Sequence, residues 1–102
     1  MEEITVQQLK AKMSNNENFH LIDVREPFEY EEANIGGKLI PLAQLPEHLD
    51  ELDEWKDDEI IIMCRSGQRS ASAQQFLIME GFDNVFNLEG GILAWQRMEN
   101  GD

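Results

Sequence analysis

Glu59-Ile60-Ile61-Ile62-Met63-Cys64-Arg65-Ser66-Gly67-Gln68-Arg69-Ser70 is the stretch from which the rest of the chain can be read. A run of branched apolar residues, Ile60 to Met63, fits a strand buried on both faces. It ends at the chain's single cysteine. A short loop follows, and then Ala73, Phe76, Leu77 and Glu80 fall at helical spacing, with Gly81 placed as a C′ residue. Ser70 can cap or enter that helix. The order is strand, loop, helix, with a thiol at the strand's carboxyl end, where open α/β sheets gather their ligands.

Outward from this unit, strands and helices alternate. Upstream, Thr5 and Gln8 fit a capping box, and Val6, Leu9 and Met13 continue a helix to about Ser14. Residues 19–24 read as a second buried strand, and Pro27 suits the first turn of a short helix over 28–32. Gly36-Gly37 breaks the chain before a brief strand at Leu39-Ile40, closed by Pro41. Leu45, Leu49, Leu52 and Trp55 form one apolar stripe on an acidic helix within 42–58. Downstream, residues 84–88 are a short strand, Gly90-Gly91 a tight turn, and 92–98 a terminal helix carrying Trp95. Residues 99–102 are expected to fray. Four strands alternating with helices favour an α/β fold, a parallel sheet with helices on both faces. The 102 residues suit one domain, with an ordered core at about 4–98.

Composition narrows the partners. Twenty-one acids against eight basic residues give a net charge of −13, which repels nucleic acid and anionic lipid. No apolar run reaches the roughly 20 residues that cross a bilayer, and Met1-Glu2-Glu3 lacks a signal-peptide pattern. With one cysteine, no internal disulfide forms. These features lead to the expectation of a cytoplasmic monomer that contacts neither membrane nor nucleic acid. His20 and His48 do not cluster with Cys64, so neither metal nor cofactor is expected.

The loop's chemistry is that of an anion cradle. Cys64 precedes a helix N-terminus, where N–H groups and the positive end of the dipole favour negative charge. Arg65 and Arg69 lie close in sequence, and an opposite charge within ~4–6 Å lowers a pKa by roughly 1–3, so a reactive thiolate is expected. Gly67 lets the loop turn tightly, and Ser66 and Ser70 add hydroxyl donors. The plain alternative is a buried, inert thiol. A cysteine phosphatase needs Cys-x5-Arg, whereas Arg69 stands five positions after Cys64. This shorter loop fits one sulfur atom better than a tetrahedral oxyanion, which counts against a phosphatase or an arsenate reductase.

Cys64-Arg65-Ser66-Gly67-Gln68-Arg69-Ser70, Leu21-Ile22-Asp23-Val24-Arg25-Glu26 with Glu29-Tyr30, Ile35 and Gly37 with Ile40-Pro41-Leu42, and Val85 with Leu88-Glu89-Gly90-Gly91 and Ala94-Trp95 resemble, in order, the signatures of single-domain rhodaneses. The resemblance implies a mostly parallel sheet of about five strands with helices on both faces. It implies a sulfurtransferase in which Cys64 takes sulfane sulfur from thiosulfate or a persulfide and passes it to cyanide or a thiol. Arg65 and Arg69 would attract the anionic donor, and the N–H groups of residues 65–70, Gln68 included, would hold the persulfide. A sulfur-relay module serving a partner protein's cysteine is the alternative. Similar proteins usually read Gly-His-Ile where this chain has Ala33-Asn34-Ile35. Asp23 and Arg25 could brace the loop or bind anions. The favoured reading is structural, pairing Arg25 with Glu29 and Asp23 with a neighbouring turn.

Overall fold

The structure is a computed structural model that describes residues 2–101. Five parallel strands lie in the order β1-β5-β4-β2-β3. They are β1 (Glu3–Ile4), β2 (His20–Asp23), β3 (Lys38–Leu39), β4 (Ile60–Met63) and β5 (Val85–Leu88). The helices are α1 (Val6–Ser14), α2 (Pro27–Glu32), α3 (Leu49–Leu52), α4 (Gln68–Met79) and α5 (Gly91–Glu99). Every strand pair is parallel, so each connection must cross over a sheet face.

β4 is central. Ile60, Ile61, Ile62 and Met63 are all fully buried, and Ile62 stands between Ile22 on one side and Asn87 on the other. Each such isoleucine contributes about 1.5–3 kcal/mol by leaving water. The two-residue alternation of a strand splits the core. Ile22, Val24, Ile60, Ile62, Cys64 and Val85 pack beneath α4 with Leu45, Leu52 and Leu77. Ile61, Met63 and Leu88 pack on the opposite face with Val6 and Leu9 of α1 and Ile92 of α5. Both faces of the sheet are therefore covered.

The local signals explain most boundaries. Thr5 and Gln8 close a reciprocal capping box at 3.1 and 2.9 Å, which starts α1. Pro27 occupies the first turn of α2. Four readings need correction. β1 went unrecognised because two residues show no period; Glu3 pairs with Asn87 and Ile4 with Leu88. The expected single helix over 42–58 is instead a 3-10 turn at Leu42–His48, the four-residue α3, and a second 3-10 turn at Asp53–Trp55. Pro46 lies inside the first turn and has no N–H to extend an α-helical ladder. The stripe still works, with Leu45 and Leu52 buried and Leu49 and Trp55 packed against them. β3 begins one residue early, at Lys38, while Ile40 still donates to the Asp23 carbonyl at 2.9 Å. Finally, Glu99 closes α5, and the Asn100 and Gly101 N–H groups bond to Gln96 and Met98. Of the expected frayed tail, Asp102 lies outside the described residues, as does Met1. No helix among the described residues is long and apolar enough to cross a membrane.

Candidate active site

β2, β4 and β5 all end at the same edge of the sheet, as parallel strands must. That edge brings Arg25, Cys64 and Gly90-Gly91 together. Cys64 leaves β4 on the face covered by α4, and only 1% of it is exposed. Gly67 caps α4 with φ +109°, a left-handed conformation that glycine adopts without penalty. There is room for a side chain there, so glycine is needed for its torsion and not for its size. Ser70 is the third residue of α4, so it enters the helix and does not cap it.

This turn aims donors at the sulfur. The Gly67 N–H lies 3.1 Å from Cys64 Sγ and the Ser70 N–H 3.4 Å, while Ser70 Oγ stands 3.3 Å away. Burial pushes the thiol pKa up. The Ser70 hydroxyl and the N–H groups of Ser70, Gly67 and Ser66 outweigh it and hold the pKa below the ordinary 9.0. The arginines are not among the main causes, although the Arg69 and Cys64 charges favour each other. A thiolate at this point is favoured by oriented dipoles at a helix N-terminus.

The two loop arginines are not equivalent. Arg69 forms a fork with Glu29, Nη1 to Oε1 at 2.7 Å and Nη2 to Oε2 at 2.9 Å. The pair holds the Glu29 carboxyl down at about 2 against the opposing effect of burial. Arg65 is exposed and forms no salt bridge among the described residues. It borders a cleft of about 510 Å³ with Phe28, Glu32, Leu93 and Gln96. The sequence-level picture of two free cations beside the thiol therefore reduces to one.

Arg25 does not take Glu29 as its side-chain partner. Its guanidinium grips Asp23, with Nη2 2.8 Å from Oδ2 and Nε 3.0 Å from Oδ1. The two residues are 4% and 0% exposed. Arg25 also donates to the carbonyls of Ala33 at 2.8 Å and Glu29 at 3.4 Å. Asp23 and Arg25 thus brace α2, and α2 braces the loop through Glu29 and Arg69. Asn34 makes a local turn, donating to the Tyr30 carbonyl and accepting from the Gly36 N–H.

Three residues of the assembly were not singled out from sequence as site residues. In the sequence Glu29 reads as a partner for Arg25 and as part of the first signature, not as a site residue. Asn87 is buried on β5, where it accepts from the Ser70 hydroxyl and donates to the Gly67 carbonyl. A polar residue inside a short apolar strand was the available signal. Gly91 sits where a Cβ would strike the carbonyl oxygens of Cys64 and Arg65. Those oxygens accept from the Ile92 and Leu93 N–H groups at 2.9 and 3.2 Å. Gly90-Gly91 is therefore more than a turn: it lets α5 dock on the loop from the far side. Gln68 and the Ser66 side chain make no hydrogen bond to the sulfur among the described residues.

Residues 5–98 match the model of the rhodanese-like domain. The chain belongs to the rhodanese-like domain family. It is 36% identical over 96 residues to a protein of Allochromatium vinosum named "Sulfurtransferase", with 93% of this chain and 88% of that protein aligned. It is 39% identical over 94 residues to the Bacillus subtilis "Putative sulfur carrier protein YrkF", spanning 91% of this chain but only 50% of that longer protein. Among solved structures, a rhodanese-like domain protein of Staphylococcus aureus superposes with a TM-score of 0.85 at 33% identity, covering 93% of this chain and 91% of the other. The superposition on the Staphylococcus aureus protein extends over nearly the whole of the fold that carries the Cys64 loop.

Proposed function

We propose that this rhodanese-like chain is a sulfurtransferase that carries sulfane sulfur as a persulfide on Cys64. The observation that carries the reading is the set of N–H donors at 3.1 and 3.4 Å from Cys64 Sγ, in a loop too short to enclose a phosphate. The names of similar proteins, a sulfurtransferase and a sulfur carrier, support the same class of chemistry.

In the first half-reaction the Cys64 thiolate attacks the outer sulfur of a small anionic donor such as thiosulfate. A new S–S bond forms, the bond to the oxidised sulfur breaks, and sulfite leaves with the electron pair. The negative charge then rests on the outer sulfur of the persulfide, beside the N–H groups at the start of α4. In the second half-reaction an acceptor thiolate or cyanide attacks that outer sulfur, and Cys64 leaves as the thiolate. Splitting one transfer into two displacements gives ping-pong kinetics. Arg65 supplies the unpaired positive charge that meets the donor.

The test is sulfite release without an acceptor. A burst of about one sulfite per chain is expected, then a halt until cyanide or a thiol is added. Continuous release without an acceptor, or a burst that survives Cys64→Ala, would sink it.

A second reading rests on the chain having one cysteine. No resolving thiol exists within these 102 residues, so the sulfur must leave this domain. A relay to a partner protein's cysteine predicts much faster discharge to one protein thiol than to small thiols. Equal second-order rates for all thiols would remove it.

A further inference from the structure

Asn87 is 4% exposed and lies on the face of β5 that looks toward Cys64 and α4. Its carboxamide spans two parts of the loop. Nδ2 donates to the Gly67 carbonyl at 3.0 Å, and Oδ1 accepts from the Ser70 hydroxyl at 2.5 Å. The Gly67 carbonyl fixes this orientation, because a reversed amide would set two oxygen acceptors against each other. The same Ser70 hydroxyl lies 3.3 Å from Cys64 Sγ.

A hydroxyl has one hydrogen to give. When Cys64 is a thiol, a complete chain exists: S–H donates to Ser70 Oγ, and Ser70 O–H donates to Asn87 Oδ1. When Cys64 is a thiolate, the sulfur has no hydrogen, and a Ser70 lone pair would face an anion. The hydroxyl must then turn from Asn87 to the sulfur. Ser70 thus has two competing acceptors, one of fixed strength and one whose strength follows the charge on Cys64.

We propose that Asn87 is a positioning residue of the sulfur centre, holding the Ser70 hydroxyl away from Cys64 except when the sulfur bears charge. The inference rests on the reading of Cys64 as the nucleophile. Cys64 gives up its S–H proton to solvent when it becomes the thiolate, and in response the Ser70 O–H rotates without changing owner. In the thiol and persulfide states Cys64 Sγ is neutral, and the hydroxyl serves Asn87. In the thiolate state it serves the sulfur, at the expense of the Asn87 bond. Asn87 therefore makes the free thiolate less comfortable than the states on either side of it, which favours attack on the donor over resting as an anion.

Ultraviolet titration of the thiolate tests this in wild type, Asn87→Ala, Ser70→Ala and the double variant. Asn87→Ala should lower the midpoint by roughly half to one pH unit, because the hydroxyl is left to the sulfur. Ser70→Ala should raise it by a similar amount, and adding Asn87→Ala to Ser70→Ala should move it no further. If Asn87 merely props the loop through Gly67, its loss loosens the N–H cradle and raises the midpoint in both backgrounds. That result, or an equal shift of either sign in both, overturns the proposal. Should Asn87→Ala not fold, the side-chain amide NMR signals of Asn87 give the answer without it. They should move through the Cys64 titration in wild type and lose most of that movement in Ser70→Ala; equal movement in both overturns the proposal. No sulfur donor is used, so failure of this inference and failure of the sulfur-transfer reading are separable.

Discussion

Glu29 and Arg69 are joined by two short hydrogen bonds across 40 residues of sequence, tying helix α2 to the loop that surrounds Cys64. Arg69 is thereby a strut. The fork is charge-assisted and bidentate, although about a third of the Arg69 side chain meets solvent, which screens the pair. Glu29 is titrated well below its ordinary 4.5, so its stabilising effect is present above that value and is lost as pH falls toward about 2. Glu29→Gln should therefore cost about 1 kcal/mol at neutral pH. Thermal melts should show the gap from wild type closing as pH drops from 4.5 toward 2. A gap that stays constant over that range would contradict the strut.

Arg65 and Arg69 should separate kinetically. Arg65→Ala removes the loop's unpaired cation and should lower kcat/KM for thiosulfate roughly tenfold, chiefly through KM. Arg69→Ala should instead lower the melting temperature, because the half-buried Glu29 loses its partner. Steady-state kinetics beside thermal melts will distinguish them, and the reverse pattern would mean that Arg69 meets the donor.

Gly67→Ala places a side chain at φ +109°, where the cost is about 1–2 kcal/mol. Because the Gly67 N–H is one of the sulfur's donors at 3.1 Å, backbone adjustment also weakens the cradle. The expected result is a lower melting temperature together with a raised pH midpoint for iodoacetamide labelling of Cys64. A variant that is destabilised but keeps the wild-type midpoint would show that the Gly67 donor is dispensable.

Gly91→Ala acts from the other side. Its Cβ would overlap the Cys64 and Arg65 carbonyls, which are backbone atoms held by α5 and cannot step aside singly. A loss of about 2–3 kcal/mol is expected, the upper part of the range for overpacking. Urea unfolding measures it. A change under about 0.5 kcal/mol would mean that α5 does not fix the loop.

Much of this organisation is legible from side-chain type and spacing. Ile60 to Met63 announces a strand buried on both faces, and the Thr5–Gln8 box announces a helix start, because each signal is local. The Cys64 loop is legible for the same reason: its donors lie within six residues of the sulfur. What escapes is long-range choice among equivalent partners. Glu29 could have met Arg25 or Arg69, and the decision follows from Asp23, two residues from Arg25 and buried with it, taking that guanidinium first. Asn87 reaches the loop only because β5 pairs with β4, which no spacing reports. β1 is too short to show a period at all, and its pairing is decided by β5.

The most direct measurement is the intact mass of the protein after incubation with thiosulfate and removal of excess donor. A species one sulfur atom heavier than the starting chain is expected, returned to the original mass by cyanide or a thiol, and absent from Cys64→Ala. No added sulfur on the wild type, or the same addition on Cys64→Ala, would contradict it.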